Sequence, residues 1–265
     1  MLDPIVISSY YSAMDVAIIG YGKMGHVIES VLVSRGHNIG LRIDPVSKDA
    51  DATDFGADSI AGLDMVIEFS LPDAVLSNSR HYSSAGVPAV VGTTGWQQDR
   101  DAIAELYRDS GSFLSGSNFS IGAHVFFRLV ASASNLISSL PQYDIMIQEI
   151  HHKNKKDSPS GTALTTAQNI LKNHSGKTAT VTERLDRRPH QHEVHVSSLR
   201  GGSMPGIHSV YIDSEFDTLE LRHTARNRGG FALGAVLAAE WLLGKTGFFT
   251  VEDFIQDIFH DRGEK

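Results

Sequence analysis

Residues 149–164 read EIHHKNKKDSPSGTAL and combine two adjacent histidines, three lysines and a Ser-Gly-Thr with very few apolar side chains. The run begins where an alternating strand pattern ends, and it enters a helix pattern at Ser160, a residue type typical of a helix N-cap. The backbone N–H groups of Gly161 and Thr162 would lie at the positive end of that helix, where carboxylates bind. Because histidine can supply a proton, the pattern favours an anionic substrate held beside an acid–base group.

The three lysines of this run admit a second interpretation. Lys153, Lys155 and Lys156 could all face water in a solvated loop, and composition alone does not decide between a loop and a binding site. His151 and His152 cannot play the same role, because successive strand side chains face opposite sides of a sheet. One of them would handle protons while the other would hydrogen-bond a different part of the ligand. Lys155 could reach the same ligand.

A second histidine cluster raises the question of a metal site. His190, His192 and His195 are close in the sequence, but His192 and His195 would face opposite sides of a strand. His190 and His192 share a face, yet no third ligand can be named for them. We therefore predict no bound metal ion.

A glycine turn early in the chain has the spacing of a dinucleotide site. Gly20, Gly22 and Gly25 follow a short apolar strand pattern in VAIIGYGKMG, and a helix pattern and a second strand ending at Asp44 come next. Such a turn lets backbone N–H groups approach a pyrophosphate, and Asp44 would then accept hydrogen bonds from the adenosine ribose. A tight turn that binds nothing is the plain alternative. A protein-kinase glycine loop fits worse, because neither H-R-D nor D-F-G follows.

Small and hydroxylated residues gather at the ends of three further strand patterns. These patterns are DMVIEFS, PAVVGTTGW and SFLSGSNFS, at residues 64–70, 88–96 and 112–120. In an open parallel sheet, the carboxyl ends of the strands form the edge where ligands bind. The alternation of strands and helices therefore predicts an α/β domain with a parallel sheet and a cofactor cleft.

The second half of the chain has a different character. After a helix pattern over residues 122–140, several β-like stretches follow between about residues 179 and 224. They predict a second domain with a mostly antiparallel sheet. An apolar helix pattern at residues 231–244 would return to pack beside the first domain. The predicted division is an extension at residues 1–14, a dinucleotide-binding domain at 15–121 and 228–265, and a second domain at 122–227.

Composition narrows the class of protein. The chain has 265 residues and a formal net charge of −8, which argues against a general nucleic-acid binder. It contains no cysteine, which removes disulfides and thiolate chemistry and fits a reducing compartment. No apolar run is long enough to cross a bilayer, and the opening residues lack the basic region of a signal peptide. We predict a cytoplasmic protein that binds neither membranes nor nucleic acids.

The run HHKNKKDSPSGTA, at residues 151–163, closely resembles the H-H-x-x-K-x-D-A-P-S-G-T-A signature of dihydrodipicolinate reductases, now called 4-hydroxy-tetrahydrodipicolinate reductases. The resemblance extends over most of the chain from about Asp15 and includes VVGTTGW, SGSNFSIG and LRHTARNRGGFALGAV. Two features depart from the family pattern. Ser158 stands where alanine is usual, and the glycine turn is G-x-G-x-x-G where many members have the longer G-x-x-G-x-x-G.

The resemblance implies a homotetramer with two domains per chain, a Rossmann cofactor domain and a smaller α+β domain that binds substrate and forms the tetramer. It also implies NAD(P)H-dependent reduction of 4-hydroxy-tetrahydrodipicolinate to tetrahydrodipicolinate in diaminopimelate and lysine biosynthesis. Hydride would reach C4 of a cyclic dicarboxylic imine, and a proton would reach the neighbouring carbon. Both NADH and NADPH are expected as cofactors, because Asp44 favours NADH while Lys48 could offset its repulsion of a 2′-phosphate.

Individual roles follow from the same resemblance. His151 matches the proposed acid of the family, and Lys155 matches its second catalytic residue. The residues expected to contact the substrate are His152, Lys155, Ser160, Gly161 and Thr162. The residues expected to contact the cofactor are Gly20, Tyr21, Gly22, Lys23, Met24, Gly25, Asp44, Phe69, Ser70, Gly92, Thr93, Thr94, Gly116, Ser117, Asn118 and Phe119.

Two other functions share parts of this pattern. Another two-domain NAD(P)-linked reductase, such as an aspartate or homoserine dehydrogenase, would share the first half of the chain. It would not be expected to carry His151, Lys155 and the Ser-Gly-Thr of residues 160–162 in this spacing. A non-catalytic nicotinamide-sensing protein would need the dinucleotide site but no acid in the second domain.

Overall fold

The computed structural model describes residues 12–260. Most of the predicted extension at residues 1–14 therefore lies outside the described residues. Met14, at its end, is 1% exposed, and its backbone N–H donates to Nδ1 of His37 at 3.2 Å. Met14 is thus packed into the fold immediately before the first strand.

Strands and helices alternate through the first half of the described chain. The strands are β1 (Asp15–Ile19), β2 (Asn38–Ile43), β3 (Met65–Glu68), β4 (Ala89–Val91), β5 (Ser112–Ser115), β6 (Asp144–His151), β7 (Ala179–Val181), β8 (Glu193–Arg200), β9 (Ile207–Asp213), β10 (Thr218–Thr224) and β11 (Gly247–Thr250). The α-helices are α1 (Lys23–Ser34), α2 (Ala57–Ile60), α3 (Val75–Ala85), α4 (Arg100–Leu106), α5 (Ile121–Ile137), α6 (Gly161–Asn173), α7 (Gly229–Leu242) and α8 (Val251–His260). Among the helices of the described residues, none has the length and apolar character that a membrane span requires.

The described residues form two compact units, and the first consists of residues 12–119 together with residues 231–260. It contains a six-stranded parallel sheet in the order β11-β5-β4-β3-β1-β2. Strands β3 and β4 are buried along their whole length, as expected for the middle of a parallel sheet. The core includes Ile19, Val66, Tyr82, Val91 and Phe113. The predicted Rossmann-type parallel sheet is confirmed.

Strand β11 is absent from the sequence-based prediction. Its four residues, GFFT, pair in parallel with β5, with Gly247 opposite Ser112 and Thr250 opposite Ser115. All four residues are half-buried, so they lack the alternation of buried and exposed side chains from which a strand is inferred. The neighbouring strand, and not the local pattern, makes this segment a strand.

The second unit, residues 120–230, contains a five-stranded sheet in the order β10-β9-β6-β8-β7. Strand β9 runs antiparallel to β10 and β6, whereas β8 runs parallel to β6 and β7. The second sheet that the sequence predicts is present, and it is mixed, with two antiparallel and two parallel strand pairings. Strands β6, β7 and β8 can pair in parallel because they are joined by crossover connections and not by tight hairpins. Helix α6 lies in the connection from β6 to β7, and residues 182–192 connect β7 to β8.

Helices α5 and α6 supply the other side of the second core. Phe127 of α5 and Ala167 of α6 share one buried cluster with Ile147 of β6, Val196 of β8 and Val210 of β9. Burial alternates along β6, so its odd-numbered residues face this cluster and its even-numbered residues face away. The end of β6 that carries His151 is therefore anchored in a packed core.

Helix α7 fastens the last part of the chain to the first unit. The carboxylate of Glu240, 4% exposed, accepts hydrogen bonds from Arg35 at 2.6 and 2.7 Å. Nε2 of His37 lies 2.9 Å from the same carboxylate. This buried charge is fully engaged, as a buried carboxylate must be to remain in the interior.

Candidate active site

The predicted helix N-terminus at Ser160 is present. Ser160 precedes α6, and its side chain accepts the N–H of Ala163 at 3.2 Å, which is the N-cap bond that a serine makes. A Cβ atom added at Gly161 would meet no atom within 4 Å, so packing does not require glycine there. At the start of α6, Gly161 is exposed and Thr162 is half-buried.

Glu149 and His151 form a buried pair at the end of β6. Both face the core side of the sheet, with Glu149 fully buried and His151 6% exposed. The Oε2 atom of Glu149 is hydrogen-bonded to Nδ1 of His151. Its Oε1 atom lies 2.7 Å from Nη2 of Arg200 and accepts the N–H of Ser160 at 3.3 Å. The carboxylate is therefore held from three directions.

The ionisation of Glu149 and His151 depends on their burial and on the charged groups beside them. Burial lowers the pKa of His151, and the negative charge of Glu149 opposes that shift. Burial acts to raise the pKa of Glu149, but the hydrogen bond from Arg200 and the charges of His151 and Arg200 outweigh it and leave the pKa below its ordinary value. Glu149 is therefore ionised at neutral pH, while the imidazole can gain or lose a proton.

His208 extends the pair into a cluster. Its Nε2 atom lies 3.0 Å from the hydroxyl of Ser160, and its ring centroid is 5.1 Å from that of His151. Which of the two atoms donates depends on the tautomer of His208, because the Ser160 hydroxyl can donate to Nε2 or accept from it while it accepts from Ala163. Burial lowers the pKa of His208 to about 4, so this ring is neutral at pH 7.

The same three side chains are close enough to be compared with a metal site. Atoms of Glu149, His151 and His208 that could ligate an ion lie within 4.8 Å of one another. However, the carboxylate already carries an ion pair with Arg200, and a divalent cation would have to displace that guanidinium. The arrangement therefore favours a hydrogen-bonded ionic network that handles protons.

The three lysines of the run differ in their surroundings. Lys155 is half-buried, and its Nζ atom lies 2.8 Å from a carboxylate oxygen of Asp157. Lys153 and Lys156 are exposed. His152 is half-buried and lies just beyond β6, with its N–H donating to the carbonyl of Met204 at 2.9 Å. Only one of the lysines is thus held in place by a partner close to the buried pair.

The glycine turn of the first unit has the features that a pyrophosphate requires. Gly20 has a φ of +89°, and a Cβ there would come 2.1 Å from the carbonyl oxygen of Phe69. A Cβ at Gly25 would come 2.6 Å from the carbonyl oxygen of Gly20, so this glycine lets α1 pack against the turn. A Cβ at Gly22 would meet nothing within 4 Å. Two glycines are required by packing and the middle one leaves room for a ligand, which fits a dinucleotide.

Asp44 follows β2 directly, as predicted. Its Oδ1 atom accepts the N–H groups of Val46 and Ser47, each at 2.8 Å. Burial acts to raise the pKa of Asp44, but those two N–H groups and that of Tyr21 hold it below its ordinary value. Asp44 is therefore an oriented anion at the end of its strand.

The neighbouring predicted residues are spread over the start of α1. The ring of Tyr21 is buried and stacks on that of His26 at 4.2 Å, and its hydroxyl is hydrogen-bonded to Glu29. Lys23 opens α1 and is exposed, and Met24 is half-buried beside it. The backbone of this turn is better placed than the Tyr21 side chain to contact a cofactor.

The ends of β3, β4 and β5 lie at the same edge of the sheet and carry the remaining predicted cofactor residues. The N–H of Ser70 donates to Oγ1 of Thr93 at 2.8 Å, which joins the ends of β3 and β4. The rings of Phe69 and Phe119 are 6.0 Å apart, and a Cβ at Gly92 would come 2.2 Å from the Phe69 ring. The structure thus brings together Phe69, Ser70, Gly92, Thr93, Thr94, Gly116, Ser117, Asn118 and Phe119.

Four polar residues of these sites escape sequence reasoning. Glu149 could have been found, since it lies two residues before His151 on a strand and must share its face. Arg200 and His208 lie on other strands, and nothing in their local sequence relates them to residue 151. Glu68, fully buried at the end of β3, accepts hydrogen bonds from Ser70 and other residues and is hidden within an apolar run.

The sequence also matches known families over nearly its full length. The family profile described as "Dihydrodipicolinate reductase, N-terminus" matches residues 14–119, and the one described as "Dihydrodipicolinate reductase, C-terminus" matches residues 122–255. Among solved structures, the dipicolinate-bound dihydrodipicolinate reductase from Paenisporosarcina sp. TG-14 superposes with a TM-score of 0.70 at 22% identity, covering 90% of this chain and 98% of that one. That similarity supports the fold.

Curated relatives carry the same name. The 4-hydroxy-tetrahydrodipicolinate reductase of Christiangramia forsetii is 39% identical over 247 residues, which cover 93% of this chain and 99% of the relative. The enzyme of the same name from Archaeoglobus fulgidus is 36% identical, covering 92% of this chain and 100% of the relative. These matches, together with the two family profiles, show that the chain belongs to the dihydrodipicolinate reductase family.

Proposed function

We propose that this protein reduces 4-hydroxy-tetrahydrodipicolinate to tetrahydrodipicolinate with NADH or NADPH, in the biosynthesis of diaminopimelate and lysine. The observation that carries the proposal is the buried pair of Glu149 and His151 beside the N-cap residue of α6. A nicotinamide-sensing protein would have no use for an acid–base group of this kind. The named relatives support the same reaction.

The first unit offers the groups that would hold the cofactor. Bound NADH or NADPH would supply the hydride. The backbone N–H groups around Gly22 would bind the pyrophosphate, and Asp44 would accept hydrogen bonds from the adenosine ribose. The hydroxyl of Thr93, joined to the backbone of Ser70, would keep the ends of β3 and β4 in register around the rest of the molecule.

The second unit offers the groups that would hold a dianionic substrate. One carboxylate would accept hydrogen bonds from the N–H groups of Gly161 and Thr162 at the start of α6. Lys155 would contribute a fixed positive charge, and His152 would add a hydrogen bond from beyond the end of β6. These four residues, with Ser160 as N-cap, match the substrate contacts that the signature implies.

Proton delivery would belong to His151. The 4-hydroxyl group and a proton from the neighbouring carbon would first leave as water, which would give the conjugated imine. Hydride added at C4 would then leave an enamine, and the protonated imidazole of His151 would give a proton to the carbon next to C4. The new C–H bond would form from the electron pair of the enamine, and the imidazole would become neutral. Solvent would then restore its proton. Its 6% exposure limits the number of competing water molecules while still permitting that exchange.

The reaction can be tested directly. Purified protein, enzymatically generated substrate and NADH or NADPH are mixed, and loss of the absorbance of the reduced nicotinamide is followed. We expect substrate-dependent loss with either cofactor. Aspartate and homoserine, offered with oxidised cofactor, serve as controls for the alternative dehydrogenases. Oxidation of either amino acid without reduction of the dicarboxylic imine would contradict the proposal.

Replacement of His151 tests its role. A positioned general acid contributes roughly 10²–10⁴-fold to the rate, so we expect His151→Gln to lower kcat by about that factor. Binding of the dinucleotide, followed by fluorescence, should remain near that of the unchanged protein. A kcat close to the original at saturating substrate would exclude His151 as the acid and make His152 the next residue to replace.

We also propose that the protein forms a homotetramer through the second sheet. The face of that sheet that points away from α5 and α6 carries Met146 and Leu199, which are 38% and 50% exposed. Ile150 pairs with Leu199, and Met146 pairs with Tyr211, so these side chains form one apolar surface. Light scattering on the protein as it elutes from a size-exclusion column should give the mass of four chains. The mass of a monomer would contradict the proposal.

Two further proposals concern the domains and the location. We propose that residues 15–121 and 228–265 bind the cofactor and that residues 122–227 bind substrate and form the tetramer. We propose a cytoplasmic location, with which a chain without cysteine is compatible. Cell fractionation of the native host would check the location, and enrichment outside the soluble fraction would contradict it.

A further inference from the structure

Glu149 is a buried carboxylate that the proposed reaction does not itself consume. It is fully buried on the core side of β6, where an ionised group without partners would be very unfavourable. It is nevertheless ionised, because Arg200 and the N–H of Ser160 share its Oε1 atom. Its other carboxylate oxygen, Oε2, is hydrogen-bonded to Nδ1 of His151.

We propose that Glu149 is a positioning residue that holds the ring of His151 in one orientation and one tautomer. The proposal rests on the proposed function, in which His151 delivers the proton. In its neutral form the ring would keep its proton on Nδ1, against Glu149, and Nε2 would be the nitrogen that carries the transferred proton. Glu149 would remain ionised throughout and would never accept that proton.

The tautomer follows from the chemistry of the two partners. An ionised carboxylate can only accept hydrogen bonds, so its contact with Nδ1 of His151 requires a proton on Nδ1. Nε2 makes no hydrogen bond to any residue between 12 and 260. A Cβ added at Gly206 would come 2.9 Å from Nε2, so the glycine keeps the space beside that nitrogen clear. One nitrogen is fixed by the protein and the other is left for a ligand.

Arg200 prevents the carboxylate from turning away from the histidine. It lies at the end of β8, directly opposite His151 in the parallel register of β6 and β8. Its guanidinium also donates to the carbonyls of Leu199 at 2.8 Å and Asp157 at 2.5 Å, so Arg200 is itself held in place. Glu149 is therefore clamped between a fixed cation and the imidazole, as the orienting acid is in other acid–base pairs.

Several charged groups face His151, and their effects on its proton differ in sign. Burial lowers the pKa of His151, and the positive charges of Lys155, from the loop after β6, and Arg200, from β8, lower it further. Glu149, from β6 itself, opposes them. His208, from β9, is neutral at pH 7. Loss of the Glu149 charge would therefore let the pKa of His151 fall, and fewer rings would be protonated at neutral pH.

A measurement on the unchanged protein tests the tautomer without cofactor or substrate. NMR spectroscopy of the histidine ring nitrogens distinguishes Nδ1–H from Nε2–H in a neutral ring. The signals of His151 are assigned as those missing from His151→Gln. We expect the neutral ring to carry its proton on Nδ1. A neutral ring protonated on Nε2 would overturn the proposal, whether or not any variant of Glu149 folds.

Kinetics on Glu149→Gln test the effect on the reaction. An orienting charge-assisted hydrogen bond is worth about 10- to 100-fold, so we expect kcat to fall by that factor with a smaller change in KM. The alkaline limb of the pH profile of kcat/KM should move to lower pH. Glu149→Asp, which keeps the charge, should restore part of kcat and should return the alkaline limb part of the way to its original pH. Glu220→Gln, which removes a carboxylate from β10 of the same sheet, is the matched control and should leave the limb in place.

The outcomes separate this inference from the proposed function. If the unchanged protein does not reduce the dicarboxylic imine, the proposed function fails, and the NMR result alone decides the tautomer. If it does reduce the imine but Glu149→Gln keeps the alkaline limb at the original pH, the positioning role is refuted even where kcat falls. A shifted limb together with an Nδ1-protonated ring supports it.

Discussion

At the scale of single residues, Lys155 differs from the two lysines beside it. It is half-buried and paired with Asp157, whereas Lys153 and Lys156 are exposed. The sequence alone does not separate a solvated loop from a binding site in this stretch. The structure favours a specific role for one lysine, because a side chain held by a partner loses less entropy when it binds a ligand.

Replacing the three lysines one at a time tests that distinction. A lost charge-assisted hydrogen bond costs about 1.5–3 kcal/mol, so we expect Lys155→Ala to lower kcat/KM by roughly 10- to 100-fold, largely through KM. Lys153→Ala and Lys156→Ala are the controls and should each cost under about 1 kcal/mol. Steady-state kinetics on the three variants give the comparison. Equal losses in all three would mean that the stretch acts as a diffuse basic patch.

Asp44 is the residue that should set the preference between the two cofactors. Its pKa is held below the ordinary value by backbone N–H groups despite burial, so it is an anion that would repel the 2′-phosphate of a bound NADPH. The nearby guanidinium of Arg42 is engaged by Glu29 at 2.6 Å and Asp51 at 3.2 Å. That leaves the exposed Lys48 as the nearest unengaged basic residue after β2 in the sequence.

We therefore expect Asp44→Ser to shift the enzyme toward NADPH. Loss of the hydrogen bonds to the ribose should reduce kcat/KM for NADH by roughly 10-fold or more, while the value for NADPH should change less or rise. The ratio of the two kcat/KM values is the measurement. Lys48→Ala is the companion variant and should weaken NADPH alone. An unchanged ratio in Asp44→Ser would show that Asp44 does not contact the ribose.

At the scale of elements, the two serine N-caps of the second unit offer a matched pair. Ser160 caps α6 and Ser120 caps α5, and each side chain accepts the N–H three residues on, at 3.2 and 3.3 Å. Removing either cap should lower the free energy of unfolding by about 1 kcal/mol. Ser160 also contacts His208 and, through its N–H, the carboxylate of Glu149.

Comparing Ser160→Ala with Ser120→Ala should separate stability from substrate binding. We expect both variants to unfold at lower denaturant concentration by similar amounts. Ser160→Ala alone should raise KM for the substrate, because fraying of the first turn of α6 misplaces the N–H groups of Gly161 and Thr162. A similar rise of KM in Ser120→Ala would show that general loosening of the unit, and not the α6 N-terminus, is responsible.

The same elements show which parts of the fold a sequence can reveal. The parallel sheet was predictable because β1, the glycine turn at Gly20 and Asp44 give local patterns with one physical meaning. The N-cap at Ser160 was predictable for the same reason. Strand β11 and the parallel pairing of β6 with β8 were not, because pairing between distant strands leaves no mark on the local pattern. His208 joins the site through the antiparallel pairing of β9 with β6, in which it lies opposite Glu149.

At the scale of the whole molecule, a net charge of −8 must coexist with a site for a dianion. The positive groups gather locally, since Lys155, Arg200 and the start of α6 all lie near the end of β6. Each of the two cations also faces one acidic partner, Asp157 beside Lys155 and Glu149 beside Arg200. A dicarboxylate would therefore be attracted by cations and helix N–H groups placed at one point, although the net charge of the chain is negative.

Burial of histidines ties the stability of the whole molecule to pH. Burial lowers the pKa of His208 from 6.5 to about 4, and it also lowers the pKa values of His151, His174 and His223. The unfolded chain therefore takes up protons that the folded chain does not. The stability contributed by neutral His208 is complete above a pH of about 6.5 and is lost as the pH falls toward about 4.

Replacing His208 should remove that contribution. Lowering the pKa of His208 from 6.5 to about 4 corresponds to roughly 3 kcal/mol. The free energy of unfolding of the unchanged protein, minus that of His208→Gln, should therefore decrease by up to that amount as the pH falls from about 7 to about 4. Urea unfolding at fixed protein concentration, repeated across this range, gives the measurement. His192→Gln, which changes an exposed histidine, is the control variant. If the His208→Gln difference does not change with pH, the unfolded and folded states bind the same number of protons at this position, and burial of the neutral ring does not govern acid stability.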